Sequence, residues 1–408
     1  MIKGSDRLGV LDLVEYEPQR FASNLIPSDI GELLWRQYGK MISVGFPSPV
    51  TDNNWELNSL GWVGHINLSH NFSIAIHPKV VIGNIFKMLE YAYRLKSFRF
   101  YEGLVDCKSL EEFYQYLAKV LASRILDRAR KGFYREYIHQ KDVLPFIKGR
   151  LNIKKAIQRP WDTKLECSFE EHTADIEDNQ ILSWALYRIA NSGVCNTDIL
   201  TTVRRAFHTL KGTITLRQIN SKACIDRLYN RLNDDYRTLH ALCRFFLEQT
   251  GPGHESGNKK MMPFLVNMAN LFELFVAEWL KKNLPKALDI KPQEKVDVGE
   301  GQTLTFKIDL TLYDVESGKA LCVLDTKYKA PKHAENEDVT QVLAYAEMKD
   351  CKKAFLVYPT MLPKNLNATF RDISVRNLTF SLKGDLEEQG QDFLTALLMA
   401  IDKDELLA

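Results

Sequence analysis

Three residues in the last third of this 408-residue chain have the types and spacing for hydrolytic chemistry: Asp309, Asp325 and Lys327. Two carboxylates brought together repel unless a cation lies between them, and hard oxygen ligands suit Mg²⁺ or Mn²⁺. A protonated lysine beside such an ion is not a ligand. It orients an attacking water, helps to deprotonate it, or stabilises negative charge at phosphorus. Together these groups suffice to hydrolyse a phosphodiester. Asp-x-Lys alone is a weak signal, because a strand end with a solvated flank gives the same pattern; the upstream strand aspartate strengthens it. Glu273 adds to the set. It stands in the run Leu271-Phe272-Glu273-Leu274-Phe275-Val276, where an acid is costly to bury without a metal or a nearby lysine. A helix acid that reaches solvent is the plainer alternative. Gln341 and Tyr345, four apart, share a helix face and are placed to steady the site or touch a phosphate, or to be ordinary surface residues.

The elements that must position these groups follow from periodicity. Leu304, Phe306, Ile308, Leu310 and Leu312 alternate with Thr305, Lys307, Asp309, Thr311 and Tyr313, which predicts a strand with one apolar face. Residues 320–324 are continuously apolar, as in a central buried strand. Asp325 caps that run, and Lys327 points to the same side. Glu316, Ser317 and Gly318 between the strands suit a hairpin, which would let both carboxylates converge. A helix is predicted at 263–282, another at 338–349, and a buried strand at 354–358.

The rest of the chain divides by composition and period. Residues 1–83 read as β-rich, with a hairpin at 62–76 around Ser69, His70 and Asn71. From Ile82 the period turns helical, with Ile85, Met88, Leu89, Ala92 and Leu95 on one stripe and further helices at 110–129, 179–190, 199–210 and 225–250. Lys148, Gly149 and Arg150 fall in a turn. The glycines, Pro252 and lysines of 250–260 mark a loop and a domain boundary. A multidomain α+β protein is expected: a β-rich N-terminal domain over 1–83, a mainly helical domain over 84–250, and a C-terminal α/β domain over 251–408.

Composition narrows the class. At 45% hydrophobic and 26% charged residues the chain is an ordinary soluble globular protein. A formal net charge of +2 offers no whole-molecule attraction to nucleic acid, so any basic surface is local. Two such groups exist, Arg124, Arg128, Arg130, Lys131 and Arg135, then Arg204, Arg205, Lys211 and Arg217. Each faces DNA, an acidic partner or simply solvent. Seven scattered cysteines without a CxxC pair argue against disulfides, zinc and iron–sulfur clusters, and fit a reducing cytoplasm. No apolar run approaches the roughly 18 residues of a membrane helix, and the polar start at residues 3–7 is no signal peptide. GxxxxGK[ST] is missing, so P-loop nucleotide hydrolysis is not expected of this chain.

Ile308-Asp309-Leu310, Leu324-Asp325-Thr326-Lys327-Tyr328 and Gln341-Val342-Leu343-Ala344-Tyr345 resemble the PD-(D/E)xK (restriction endonuclease-like) nucleases, in the branch with a Gln-xxx-Tyr helix. Asp309 lacks the proline of the family name, a position that varies in the superfamily. Gly83-Asn84-Ile85-Phe86-Lys87-Met88-Leu89-Glu90-Tyr91-Ala92-Tyr93, Ile147-Lys148-Gly149-Arg150-Leu151, Asp178-Asn179-Gln180-Ile181-Leu182 and the strand ending Val357-Tyr358-Pro359 resemble, in the same order, the McrC family. These are the nuclease subunits of McrBC modification-dependent restriction systems. The resemblance covers residues 83 to about 360. It implies an Mg²⁺- or Mn²⁺-dependent endonuclease that docks on an McrB-type AAA+ GTPase hexamer, stimulates its GTP hydrolysis, and cuts double-stranded DNA carrying modified cytosine. The metal ligands would be Asp309, Asp325 and the Thr326 backbone carbonyl, with Glu273 as a further candidate. GTP enters only through the partner, for which Lys148 and Arg150 are candidate contacts. A non-catalytic activator of the ring and a stand-alone repair nuclease of the same superfamily are the competing readings.

Overall fold

The computed structural model describes residues 9–69, 72–93, 109–249, 254–256, 259–261, 263–298 and 304–402. Residues 3–7, His70, Asn71, Leu95, Cys107, residues 250–253 and Gly257 lie outside the described residues. By their internal contacts the residues form two compact units, Met1–Phe113 with Gly251–Ala408, and Tyr114–Thr250. Among the described residues no helix is long and apolar enough to cross a membrane.

The N-terminal part is β-rich, as its sequence indicates: β1 (Val10–Val14), β2 (Gln19–Ala22), β3 (Ile42–Gly45), β4 (Asn54–Ser59), β5 (Trp62–Ser69) and β6 (Phe72–His77), with α1 (Ser28–Tyr38). Alternate residues of β4 turn inward, so Trp55 and Leu57 join Leu13, Leu34, Ile66 and Ile74 in one core. That core is not closed by residues 1–83. Strand β12 (Phe264–Asn267) pairs antiparallel with β5, completing the sheet order β1-β6-β5-β12, and its Leu265 is buried in the same cluster. Gly64 permits the pairing: its φ is +133°, and a Cβ there would lie 2.3 Å from the Phe264 carbonyl oxygen.

This corrects two expectations. The helix foreseen from Pro263 is instead β12 followed by α8 (Met268–Asn283), because the Asn267 side chain accepts from Asn270 N at 2.9 Å and starts the helix there. The boundary at residue 83 also fails as a contact boundary. Helix α2 (Ile82–Ala92) packs on α8, with Tyr91 edge-on to Phe275 at 5.7 Å, and the Asn84 amide donates to the carbonyls of Leu382 and Gly384. Burying Asn84 and the apolar stripe of α2 binds this helix to the C-terminal segment.

The second unit is mostly helical: α3 (Leu110–Lys131), α4 (Ile153–Gln158), α5 (Glu177–Ala190), α6 (Thr197–Leu210) and α7 (Asp234–Glu248). Helix α7 begins nine residues after the expected start, because Asn233 accepts from Asn230 N at 2.7 Å and Asp226 takes a left-handed φ of 55°, so local side-chain bonds compete with the helix. The unit also holds an antiparallel sheet, β7 (Glu136–Leu144), β9 (Leu165–Thr173) and β8 (Arg150–Leu151), in the order β7-β9-β8. Its first strand has no buried residue, so no apolar alternation announces it.

In the C-terminal segment, β10 (His254–Ser256) and β11 (Lys259–Met261) form a small antiparallel pair. A mixed six-stranded sheet follows, built from β13 (Leu288–Val298), β14 (Leu304–Asp314), β15 (Ala320–Thr326), β16 (Lys353–Tyr358), β17 (Asn367–Phe370) and β18 (Ile373–Thr379), in the order β13-β14-β15-β16-β18-β17. The β14–β15 hairpin, helix α9 (Asn336–Met348) and β16 stand where the sequence places them; β15 and β16 are parallel and joined through α9. Strands β13, β17 and β18 and helix α10 (Leu386–Ala400) are additions. Helix α9 covers Ile308, Val323, Leu356 and Val375 with Val342, Tyr345 and Ala346. Helices α8 and α10 meet through Phe275, Trp279, Phe380 and Phe393.

Gly64→Ala is expected to lower the stability of the Met1–Phe113 and Gly251–Ala408 unit by at least about 2 kcal/mol, combining left-handed strain with a main-chain clash. A denaturant titration matching the parent protein would contradict this account of the β5–β12 pairing.

Candidate active site

The two aspartates are brought together where β14 and β15 cease to pair. The last pair is Leu310↔Leu324, and one step further along this antiparallel register Asp309 faces Asp325, with both side chains on one side. The Asp309 carboxylate then replaces the ladder. Its Oδ2 accepts from Thr326 N at 2.9 Å and from Thr326 Oγ1 at 3.1 Å, which also brings the Thr326 main chain against the first carboxylate. On the other flank, β13 and β14 pair through Pro292↔Leu310 and Glu294↔Ile308 but skip Gln293 and Asp309. Gln293 has a φ of 52°, a left-handed conformation that costs a non-glycine residue about 1–3 kcal/mol.

The interruption changes the facing of β14. Phe306 and Ile308 pack in the α9-side cluster with Val323, whereas Thr311 is the direct partner of Val323 and so lies on that side too. The strict single-face alternation expected from 304 to 313 therefore breaks around Asp309. The break is what lets an acid be flanked by buried residues yet open onto the site.

Asp325 is 1% exposed, and neither of its oxygens has a hydrogen-bond donor in good geometry. The Lys327 ammonium lies 2.8 Å from Oδ2 as an ion pair off the hydrogen-bonding direction. Burial, then the charge of Asp309, pushes the Asp325 pKa up to about 7, against the pull of Lys327. Burial alone would depress the Lys327 ammonium, but Asp325, Asp338 and Asp309 outweigh it and hold Lys327 above its ordinary pKa. Lys327 Nζ donates to Gln341 Oε1 at 3.0 Å, and the Gln341 amide donates to the Tyr345 hydroxyl at 2.6 Å. Gln341 and Tyr345 thus form a chain of bonds from α9 that fixes the lysine.

Glu273 lies partly buried on α8, and its pKa is raised by burial and then by the charge of Asp309. Its hydrogen-bond partner is neither a lysine nor a second acid: the Gln293 amide donates to Oε1 at 3.0 Å. Among the described residues no three His, Cys, Asp or Glu side chains group closely enough to hold an ion by themselves. Two carboxylates, a main-chain carbonyl and waters remain. That fits Mg²⁺, which keeps several waters and takes only one or two carboxylates. The buried Asp325 oxygens, which lack a well-aligned hydrogen-bond donor and have only the Lys327 ammonium beside Oδ2, are the feature a metal ion would satisfy. Lys148 and Arg150 belong to the other compact unit. There Lys148 Nζ sits 3.9 Å over the Phe169 ring, and Arg150 is exposed at the start of β8.

Four contributors escape the sequence reading. Asp338 of α9 is buried, 3.6 Å from Lys327 Nζ and 2.7 Å from Lys329 Nζ. Its signal was its place three residues before Gln341, on the same helix face. Lys329 also pairs with Glu335 at 2.6 Å. Tyr328 donates to Glu15 Oε1 at 2.9 Å, and Lys79 N donates to the same oxygen at 2.8 Å. Glu15 is fully buried, and burial raises its pKa against those two bonds. The β-rich part, whose role the sequence leaves open, thereby anchors the residue next to Lys327. Nothing local in the sequence links positions so far apart.

A mixed α/β protein of several parts, carrying two acids and a lysine where two paired strands part, is the class that this fold and site define. Residues 57–359 match the family described as McrBC 5-methylcytosine restriction system component, and the chain belongs to that family. It is 23% identical over 268 residues to the type IV methyl-directed restriction enzyme EcoKMcrBC of Escherichia coli (strain K12), covering 62% of this chain and 74% of that protein. Among solved structures, it is similar to a half-complex of Thermococcus gammatolerans McrB AAA+ hexamers with bound McrC. Identity there is 14% and the TM-score 0.49, over 95% of this chain and all of that one. For a cryo-EM structure of the Thermococcus gammatolerans McrBC complex the values are 18% and 0.40, over 68% and 88% of the two chains.

Tyr328→Phe is expected to destabilise the protein by about 1–3 kcal/mol, since it removes a donor from a buried carboxylate. A loss below about 0.5 kcal/mol in chemical denaturation would show that Glu15 does not depend on this bond.

Proposed function

We propose that this chain is the DNA-cutting subunit of a McrBC-type complex, with a PD-(D/E)xK centre at Asp309, Asp325 and Lys327. The observation that carries the reading is the meeting of these three groups where β14 and β15 part, with the buried Asp325 oxygens lacking any well-aligned hydrogen-bond donor and paired only with Lys327. Asp309, Asp325 and the Thr326 carbonyl would hold Mg²⁺ or Mn²⁺. Such an ion, when bound, supplies Lewis-acid stabilisation of phosphoryl charge and lowers the pKa of water. The chain's own groups do the rest. Lys327, kept protonated by its acidic neighbours, faces the charge that develops on the phosphate, and Gln341 and Tyr345 hold its ammonium in place. Glu273, tethered by Gln293, lies within electrostatic reach of Asp309 and is placed to receive a proton from water.

The partner in this reading is an McrB-type AAA+ GTPase ring. Membership of the McrBC component family supports it, as does the missing P-loop motif, which leaves GTP hydrolysis to another chain. The β7-β9-β8 sheet and its connections are proposed as the docking surface. They expose Tyr137, Phe146, Ile147, Ile153, Ile157 and Trp161, each more than half accessible. Apolar side chains this exposed and this close in sequence mark an interaction site. Lys148 and Arg150 stand among them. Recognition of modified cytosine is then left to the partner, and this chain needs only sequence-independent contacts to the duplex.

Two measurements test the reading. Asp309→Ala, Asp325→Ala and Lys327→Ala should each lower Mg²⁺-dependent cleavage of methylated duplex, in the presence of partner and GTP, by at least about 100-fold. The two aspartate variants should also lose Mn²⁺ binding by electron paramagnetic resonance. Full cleavage in all three variants would refute the site. Ile147→Glu combined with Trp161→Glu should weaken binding to the ring by at least about tenfold in a pull-down titration while leaving Mn²⁺ binding intact. Unchanged ring affinity would rule out this surface.

A further inference from the structure

The unit Tyr114–Thr250 holds a cleft of about 560 Å³ that plays no part in the chemistry above. Trp184 and Arg188 of α5, four apart on one helix face, form one wall; Gln218, Asn220 and Ser221 form the other, with Leu247 at the base. Arg188 is the one charged side chain in this lining. It is half-buried, and its Nε is fully buried with no hydrogen-bond acceptor. Among the described residues its guanidinium has no ion pair, only the Trp184 ring 5.8 Å away. The acids of the neighbouring helices are already matched. Glu248 pairs with Arg244 at 2.8 Å, and Glu177 and Asp178 pair with Arg227 at 2.9 and 2.6 Å. Desolvation of Arg188 lowers its pKa, as expected of a cation buried without compensation.

A charge partly withdrawn from water without a partner, with its Nε wholly buried, costs the fold, and replacing it by an apolar residue is often neutral or favourable. Such a residue persists where a ligand supplies the missing charge. The rest of the lining is rich in donors. Asn220 engages its carbonyl oxygen with Lys222 N at 3.0 Å, leaving its amide hydrogens, and Gln218, Ser221 and the Trp184 indole add further N–H and O–H groups. A planar guanidinium fork among neutral side chains, with no acid in the wall, suits an oxyanion such as phosphate, which it can grip with two parallel bonds. The volume exceeds what a lone ion fills and admits a phosphate with its attached sugar. Lys222, beside the lining, is exposed.

We propose that this cleft binds a phosphodiester of the DNA backbone, with Arg188 as its counter-charge, as a second duplex contact besides the Asp309–Lys327 centre. The choice of DNA rests on the function proposed above; the phosphate chemistry rests on the cleft.

The test uses the full chain carrying Lys327→Ala, so that no cutting occurs, and fluorescence anisotropy of a labelled duplex across a salt series. Adding Arg188→Met should weaken DNA binding about tenfold and reduce the slope of log affinity against log salt by about one. The same variant should melt at a higher temperature than its parent. Arg188→Lys should restore the salt slope. Unchanged affinity and slope would overturn the proposal, as would weaker binding with a lowered melting temperature, which marks Arg188 as structural. Inorganic phosphate and GTP form the second arm. If Arg188→Met weakens either of them but not DNA, the occupant is a free phosphate and the DNA assignment is overturned. A parent that binds no duplex at all would sink this proposal and the DNA-cutting function together, whereas a parent that binds DNA while Arg188→Met changes nothing would sink only the cleft.

Discussion

Like charges where β14 and β15 part are the constraint around which this molecule is organised. Asp325 is taken out of water with no well-aligned hydrogen-bond donor and Lys327 as its ion-pair partner, and Asp309 adds repulsion from the neighbouring strand. In a low-dielectric setting that arrangement is stable only with compensating positive charge. The chain supplies part of it through Lys327, which is in turn steadied by Gln341 and by the charge of Asp338. Lys329 neutralises Asp338 from the other side. Acids and lysines therefore alternate through the site, and the ionisation of Asp325, Lys327 and Lys329 depends on their neighbours.

That charge pattern needs rigid support, and the support comes from parts of the chain far apart in sequence. Strand β12 leaves the C-terminal segment to finish the N-terminal sheet, and Tyr328 crosses to a buried carboxylate on β1's end. The β-rich residues are thus part of the scaffold that holds the strand bearing Asp325 rather than an appended module. One strained backbone position lies in the same place. Gln293 adopts its left-handed backbone opposite Asp309, where the ladder skips a pair.

The second unit obeys different rules. Its sheet buries almost nothing of β7 and exposes large apolar side chains from the connections around β8. A surface so apolar is out of keeping with an isolated soluble domain, and it is the natural counterpart of a family whose members are components of a larger system. The same unit keeps an uncompensated arginine in its cleft. Both features make sense as costs accepted for binding, since each disfavours the free chain.

The acids and lysine of the centre, the hairpin that joins their strands and the helix bearing Gln341 and Tyr345 were legible in the linear chain, because each rests on local periodicity: an apolar run ending in Asp325, a glycine turn at 318, a helical face repeating every four residues. The family was legible from the order of its short motifs. Only the tertiary structure decided which segments share a core, since the pairing of Phe264 with His65 and the bond from Tyr328 to Glu15 join residues with no local pattern in common. It also decided that Glu273 answers to Gln293, that Asp338 completes the charge network, and that β14 changes face at Asp309. Periodicity reports which way a side chain points within its own element. What that side chain meets is set by long-range packing, in which burial and charge are balanced over the whole unit.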